Sequence, residues 1–462
     1  MPKAIDIGTR RELFVDDFLI ERLEGAALRL AHPERREVAF VGDAPWEDCT
    51  VGAQSLVQEG ESVRLYYRAA VPDLQDETRT ILALAESKDG GCSFQRPALG
   101  LVEFQGSKQN NILWHGGPPG VPPAFIDTNP ACPPEARYKG FTMEWGKLYA
   151  MSSPDGLRWN LMQDGPLKMD GTFDTVNTGF WDALAGCYRS YTRVFADPAT
   201  GRPYPQDGVK WGIGARAIQT CTSPDFIHWT PRRVVEYRDG DYAMQMYTND
   251  VIPCPGAEHI YLGFPNRILE ERVKFPGGRW PGANDALFMC SRDGDHWTRY
   301  REAWVRPGLD QRNWTQRNNY PTWGIIRASD EEWAMLISEH YMQADGAPPR
   351  MRRLSIRPWG FVSVSAGFGG GELLTKPFMF GGRELRVNYS TAAAGQIQVE
   401  FQDESGTPAP GFAGADMAPL FGDELDAVVT WKNGADISAL AGRPVRLRIL
   451  LKDADVFALR TV

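Results

Sequence analysis

The sequence predicts an all-β chain, a five-bladed β-propeller followed by a small β-sandwich, on three observations. The first is a phrase that returns along the chain. It reads Ser87-Lys-Asp-Gly-Gly-Cys-Ser93, Ser153-Pro-Asp-Gly-Leu-Arg-Trp159, Ser223-Pro-Asp-Phe-Ile-His-Trp229 and Ser291-Arg-Asp-Gly-Asp-His-Trp297, with a worn fifth copy at Ser355-Ile-Arg-Pro-Trp-Gly-Phe361. The leading serines stand 66, 70, 68 and 64 residues apart. The second observation is that each copy follows an apolar strand-like run, such as Ile81-Leu-Ala-Leu-Ala85 or Ala286-Leu-Phe-Met289. The phrase therefore reads as a hairpin turn, in which Asp offers an acceptor and Gly tolerates positive φ. The third is the length of the period, which suits one four-stranded blade per repeat around a central channel.

Each element follows from this frame. Glu12-Leu-Phe-Val-Asp-Asp-Phe-Leu-Ile20 has the composition of a lead-in strand, with Asp16 and Asp17 read as solvated or capping acids. Blades of about 67 residues then begin near Gly52, Phe125, Phe173, Tyr247 and Asn318. The period stops at Gly367-Phe-Gly-Gly-Gly371. Beyond it Glu384-Leu-Arg-Val-Asn-Tyr389, Gln396-Ile-Gln-Val-Glu-Phe401, Ala427-Val-Val-Thr-Trp431 and Val445-Arg-Leu-Arg-Ile-Leu-Leu451 alternate in the manner of a small sandwich. The expected domains are thus a propeller over 1–366, with its lead-in strand at 12–20, and a sandwich over 367–462.

Composition narrows the function. With 462 residues the chain exceeds one ordinary core. Its 50 basic and 59 acidic residues give a formal charge of -9 without a long basic run, which argues against nucleic acid as a partner. Seven scattered cysteines lack zinc-site spacing and read as reduced structural thiols. No apolar stretch is long enough for a signal peptide or a membrane span, so a cytoplasmic protein without a membrane partner is expected. Oligomeric state is left open.

No nucleophile elbow, phosphate loop, dinucleotide fingerprint or His-Glu-x-x-His motif is present, so chemistry has to come from convergence. In a propeller the starts of the inner strands and the ends of the second strands open on one face, where a ligand funnel forms. The inner-strand starts carry Trp46, Glu47 and Asp48, then Asp127, Asp174 with Asn177, Asn249 with Asp250, and Asn319. Second strands end at Arg68, Glu144-Trp145, Arg193, Arg267 and Glu339-His340-Tyr341. Carboxylates and amides bond vicinal hydroxyls, and aromatic faces stack on sugar rings. Clustered acids also drive one pKa up while another stays ionised, as glycoside hydrolysis needs.

Each acid also has a plain structural reading. Asp127 sits in a turn sequence, Asp-Thr-Asn-Pro, and Asp174 opens a strand. Asp182 lies in a hairpin turn and is read as structural. Asp250 has no Gly or Pro beside it, and Glu339 ends an otherwise apolar strand, so turn chemistry explains these two least. His340 reads as a hydrogen-bonded strand-end residue more readily than as a base.

Five blades with acids at their inner ends, the Tyr66-Tyr67-Arg68 second strand and the trailing β-rich segment resemble the invertase/levanase and arabinanase superfamily of glycoside hydrolases. Leu13-Phe-Val-Asp-Asp-Phe-Leu-Ile20, Phe125-Ile-Asp-Thr-Asn-Pro130, Asn318-Asn-Tyr-Pro321 and Lys432-Asn-Gly-Ala-Asp-Ile-Ser-Ala-Leu-Ala-Gly442 are more closely similar to bacterial glycosyl-hydrolase-like five-bladed propellers. The resemblance implies three acting acids, although the Asn-Asp-Pro-Asn-Gly, Arg-Asp-Pro and Glu-Cys signatures of invertases are absent. The expectation is a glycosidase acting on a small glycoside or oligosaccharide. Glu339 would be its general acid, Asp250 or the Glu47/Asp48 pair its base or nucleophile, and Asp127 and Asp174 would tune or bind. Trp46, Arg68, Asn177, Arg193, Asn249, Arg267, Asn319, His340 and Tyr341 would hold the sugar. A phosphorylase with a cradle of Arg68, Arg193 and Arg267 is one alternative, and a non-catalytic carbohydrate-binding propeller is another. No cofactor or metal-ligand cluster is expected, with a structural calcium in the channel allowed by the resemblance.

Overall fold

The computed structural model describes residues 4–71, 79–117, 120–144, 146–174, 176–205 and 213–462, so that Trp145 lies outside the described residues. The chain forms two compact units. One comprises Pro33–Cys254 and Glu258–Ser355; the other comprises Met1–His32, Pro255–Ala257 and Ile356–Val462.

The larger unit is a five-bladed β-propeller. Blade I runs Gly52–Glu59, Ser62–Ala70, Thr80–Ser87 and Ile112–Gly116, each strand antiparallel to the next. Blade II runs Ala124–Ile126, Tyr138–Glu144, Lys147–Ser153 and Asn160–Leu161. Blade III follows with Thr178–Asp182, Cys187–Ala196, Ala215–Ser223 and Arg233–Val234. Blade IV is built on Ile252–Cys254, Ala257–Gly263, Ala283–Ser291 and His296–Val305, with Asn266–Leu269 and Glu236–Tyr237 added at its sides. Blade V has Ile326–Arg327, Trp333–Glu339 and Arg350–Ile356.

Blade V takes its outer strand from the other end of the propeller sequence. Glu34–Val41 pairs antiparallel with Arg350–Ile356, so the ring is closed by chain from before blade I. Closure of this kind removes an exposed sheet edge. It also corrects the expectation for the fifth repeat, because Ser355-Ile-Arg-Pro does not turn into a fourth strand of its own blade.

The repeated phrase is the turn it was expected to be, and its chemistry is local. The hydroxyl of Ser291 accepts from Gly294 N at 2.9 Å, while Asp293 Oδ1 accepts from Asp295 N and His296 N at 2.9 and 2.8 Å. Ser153 and Asp155 repeat the pattern in blade II. The turn also docks onto the preceding blade. Tyr66 Oη donates to Gly156 O at 3.0 Å, and Tyr191 Oη donates to Gly294 O at 2.9 Å. Both tyrosines stand two residues after an arginine, Arg64 and Arg189, on a second strand. Apolar packing fills the rest of these joints: Phe141 stacks on Phe226 at 4.5 Å, and Trp297 meets the ring of Tyr191 edge-on at 5.6 Å.

The smaller unit is also all β. Its two long strands, Leu385–Gln402 and Arg446–Thr461, pair along most of their length with register shifts at Asn388/Tyr389 and Thr391/Gln396. Their inward residues, including Val387, Ile397, Val399, Leu447 and Ile449, share one core with Val364 and Leu373. The lead-in strand expected at 12–20 belongs here instead of to the propeller. Glu12–Leu13 is extended and pairs with Leu459 and Ala458 of the last strand, and Ile20 opens a separate strand, Ile20–Glu24, that pairs with Gly371–Thr375. The expected division at 366/367 is corrected in the same way, since residues 4–32 and 356–366 pack in this unit. Phe14 and Leu19 explain the difference: both are buried in its core, which the local sequence pattern does not reveal.

Among the described residues all seven cysteines are free, and no group of three or more His, Cys, Asp or Glu side chains is arranged to hold a metal ion. No helix is long and apolar enough to cross a membrane.

Candidate active site

A cavity of about 210 Å³ opens in the propeller, lined from all five blades. Blade I contributes Gln54, Arg68 and Trp114; blade II, Phe141 and Thr142; the approach to blade III, Asp174 and Asn177. Tyr247 and Thr248 come from the approach to blade IV, and Arg317, Tyr320, Ser338 and Tyr341 from blade V. These positions are the inner-strand starts and second-strand ends, as the propeller geometry requires, with Trp114 supplied by the fourth strand of blade I.

Of the residues singled out from sequence, Arg68, Asp174, Asn177 and Tyr341 line the cavity. Asp174 is the one carboxylate among the described lining residues, and it forms an ion pair with the buried Arg193. Arg68 donates to Tyr341 Oη at 2.9 Å and to Thr50 O at 3.2 Å, which fixes its guanidinium against the wall.

Asp250 lies just behind the wall. It is 1% exposed and adopts φ 44°, and its Oδ2 accepts from the hydroxyl of cavity-lining Thr248 at 3.0 Å. Its Oδ1 is buried with no protein partner. Burial pushes its pKa up to about 8, and the Thr248 hydrogen bond opposes this only in part. The side chain is a neutral carboxylic acid at pH 7.

The other expected acids are taken up by structure. Glu339 follows Ser338, which faces the cavity; strand alternation turns Glu339 to the other side of the sheet. There it meets Arg35, Arg350 Nε at 2.7 Å and Arg352 Nε at 2.9 Å, so it ties blade V to its closing strand. Burial works to raise its pKa, but the three guanidinium groups outweigh that and hold it below the usual value. A carboxylate so held cannot deliver a proton, and the general-acid expectation for Glu339 is not met.

Glu47 accepts from Tyr67 Oη at 2.6 Å and from both Arg96 Nε and Nη2 at 2.9 and 2.6 Å. Asp48 closes a turn onto Thr50 N at 2.6 Å. Asp127 is fully buried against Lys139 and Tyr188 Oη, the latter at 2.6 Å. Trp46 Nε1 donates to Asn111 Oδ1 at 2.8 Å and packs on a blade core. None of the four lines the cavity.

Four expected binding residues are likewise structural. Asn249 holds the blade III approach through Thr178 Oγ1 at 2.8 Å and Tyr191 O at 3.2 Å. Arg267 grips Asp285 with two bonds, at 2.9 and 2.5 Å, and so leaves the supposed phosphate cradle. Asn319 donates to Asn284 O and Asn313 O, both at 2.9 Å. His340 pairs with Asp310 at 2.6 Å. Asp182, read as structural, does anchor its own turn and accepts from Tyr261 Oη at 2.5 Å.

Sequence reasoning passed over Arg317 and Tyr320, in the approach to blade V. Arg317, Asn319, His340 and Met342 all adopt positive φ, at 65°, 59°, 62° and 51°. Such conformations cost roughly 1–3 kcal/mol each and gather where a site over-determines its backbone. The Asn318-Asn-Tyr-Pro321 run was the available signal, since asparagine tolerates this region.

No protein-family model matches the sequence, and no curated protein does. The chain is similar to solved structures at low identity. An N-acetylgalactosamine deacetylase from F. plautii, in complex with blood group B trisaccharide, is 14% identical over 71% of this chain and 95% of that one, with a TM-score of 0.44. A beta-1,2-mannobiose phosphorylase from Listeria innocua is 13% identical over 71% and 96%, with a TM-score of 0.40. An exo-beta-1,3-galactanase from Phanerochaete chrysosporium, with galactose, is 10% identical over 91% and 99%, with a TM-score of 0.39. Matches this remote leave the chemistry to be read from this chain's own residues.

Proposed function

We propose that the propeller cavity is the active site of a glycosidase acting on a small glycoside. One observation carries the reading: a carboxylate on the wall, Asp174, is ion-paired with Arg193, while a second acid behind the wall, Asp250, is kept protonated by burial. Two carboxyl groups, one ion-paired with a guanidinium and the other buried without a cationic partner among the described residues, suit the acid and carboxylate roles of glycosidic cleavage.

Thr248 touches both the cavity and Asp250. Once the hydroxyl turns toward the substrate, the protonated Asp250 donates to Thr248 Oγ1 in place of accepting from it, so Thr248 hands its proton to the departing glycosidic oxygen as it takes one from Asp250. Asp250 ends the step as a carboxylate. Asp174 serves as the partner that activates water or stabilises the positive charge developing on the sugar. Trp114, Tyr247 and Tyr320 offer ring faces, and Gln54, Asn177 and Thr142 offer partners for hydroxyls. The cavity is small against the roughly 300–1,000 Å³ of pockets for drug-sized ligands, which favours a terminal sugar over the middle of a chain. The experiment is turnover of an aryl glycoside panel by the wild type, Asp174→Asn and Asp250→Asn. Loss of at least about a hundredfold in both variants supports the roles.

A second reading, phosphorolysis, is favoured by two guanidinium groups on the wall, Arg68 and Arg317. Product release that requires inorganic phosphate in the buffer would replace water with phosphate as the attacking group.

A further inference from the structure

We infer that the cavity selects an acidic sugar, whose carboxylate or sulfate group is received between Arg68 and Arg317; this rests on reading the cavity as a glycoside site. The charge of the wall points this way. Its described ionic residues are Arg68, Arg317 and Asp174, and Asp174 is already paired with Arg193. Neither Arg68 nor Arg317 pairs with a carboxylate among the described residues. In a protein of formal charge -9, the cavity wall is therefore locally cationic.

The two guanidinium groups are also held together. Arg68 Nη2 donates to Tyr341 Oη at 2.9 Å, and the Arg317 guanidinium also interacts with the Tyr341 side chain. Like charges gathered at one side chain repel, and an anion between them removes that cost.

Arg317 is placed for this by three features. Its backbone takes φ 65°, its N donates to Asn284 Oδ1 at 2.7 Å, and its guanidinium stacks on Trp280 at 4.1 Å. Its Nε is nevertheless buried without a protein partner, and so is the hydroxyl of the adjoining Tyr320. Two unpaired buried donors on a cavity wall are costly in the free protein and are satisfied by an acceptor with several oxygens. A carboxylate or sulfate on the ring supplies charged oxygens that bond a guanidinium about twice as strongly as the uncharged hydroxyl oxygens a neutral sugar offers.

The test is calorimetric binding of glucuronate, galacturonate and galactose 6-sulfate against glucose and galactose, with inorganic phosphate as a separate arm. The acidic sugars are expected to bind at least about tenfold more tightly than their neutral parents. That preference should shrink as NaCl rises from about 50 to 500 mM and vanish in Arg317→Gln. Tyr320→Phe, which removes one hydroxyl, should lose severalfold and serves if Arg317→Gln does not fold. Equal or tighter binding of neutral sugars overturns the inference while leaving glycoside cleavage standing. Phosphate binding without discrimination among sugars also overturns it, by assigning the two arginines to a co-substrate. Absence of binding and turnover with every sugar takes the glycosidase reading down with it.

Discussion

Thr248 and Asp250 share a hydrogen bond of 3.0 Å across the cavity wall, with the hydroxyl on the open side and the carboxyl sealed behind it. Everything asked of the pair follows from the protonation of Asp250. Its pKa is pushed up to about 8 from an ordinary 3.8. Activity should hold through neutral pH and fall as pH rises through about 8. A pH profile of kcat/KM checks this, and Thr248→Val should reduce the rate at least about tenfold, because the relay is cut.

The same shift makes a stability prediction. Folding binds a proton at Asp250 between pH about 4 and about 8, because the folded-state value lies above the unfolded one. Its contribution is greatest at the acid end and declines by about 1.4 kcal/mol per pH unit across that window. Asp250→Asn should flatten this slope and gain stability at pH 8, measured as urea midpoints at several pH values.

Glu339 makes the opposite prediction. Its folded pKa is lowered, so the stability it contributes is present above its unfolded value of 4.5 and is lost as pH falls below that. Glu339→Gln leaves Arg35, Arg350 and Arg352 facing one another. It should cost about 3–5 kcal/mol in urea unfolding. Activity per folded molecule should stay within about twofold of wild type, because the residue supports the closing strand and not the chemistry.

The repeated turn can be tested at one atom. A Cβ on Gly294 would lie 2.7 Å from both Tyr191 Oη and Arg189 Nη1, and the residue has φ 79°. Gly294→Ala should cost about 2–3 kcal/mol, from strain and the displaced joint together. Gly186→Ala is the control: its φ is 63° with nothing within 4 Å, so only the backbone penalty of about 1 kcal/mol applies.

These contrasts also explain what could be read in advance. The blade repeat was legible because Ser-x-Asp-Gly turns are local: Ser291, Asp293 and Gly294 bond one another within four residues. Closure by Glu34–Val41 was not, since its partner lies about three hundred residues away. The funnel rule found Arg68, Asp174, Asn177 and Tyr341, which occupy the positions it names. It took Asp127 for the start of an inner strand like Asp174, whereas that strand is Ala124–Ile126 and Asp127 follows its end. Only the partners Lys139 and Tyr188, on neighbouring strands, turn Asp127 into a structural group. Glu339 was misleading for a related reason: the three arginines that neutralise it come from two other strands, one of them before blade I.

The most direct measurement is turnover of aryl glycosides by the wild type, Asp174→Asn and Asp250→Asn, each shown to be folded by circular dichroism. Hydrolysis by the wild type with a loss of at least about a hundredfold in both variants is the predicted result. Folded variants that cleave at the wild-type rate would contradict the assignment of the cavity as the catalytic centre.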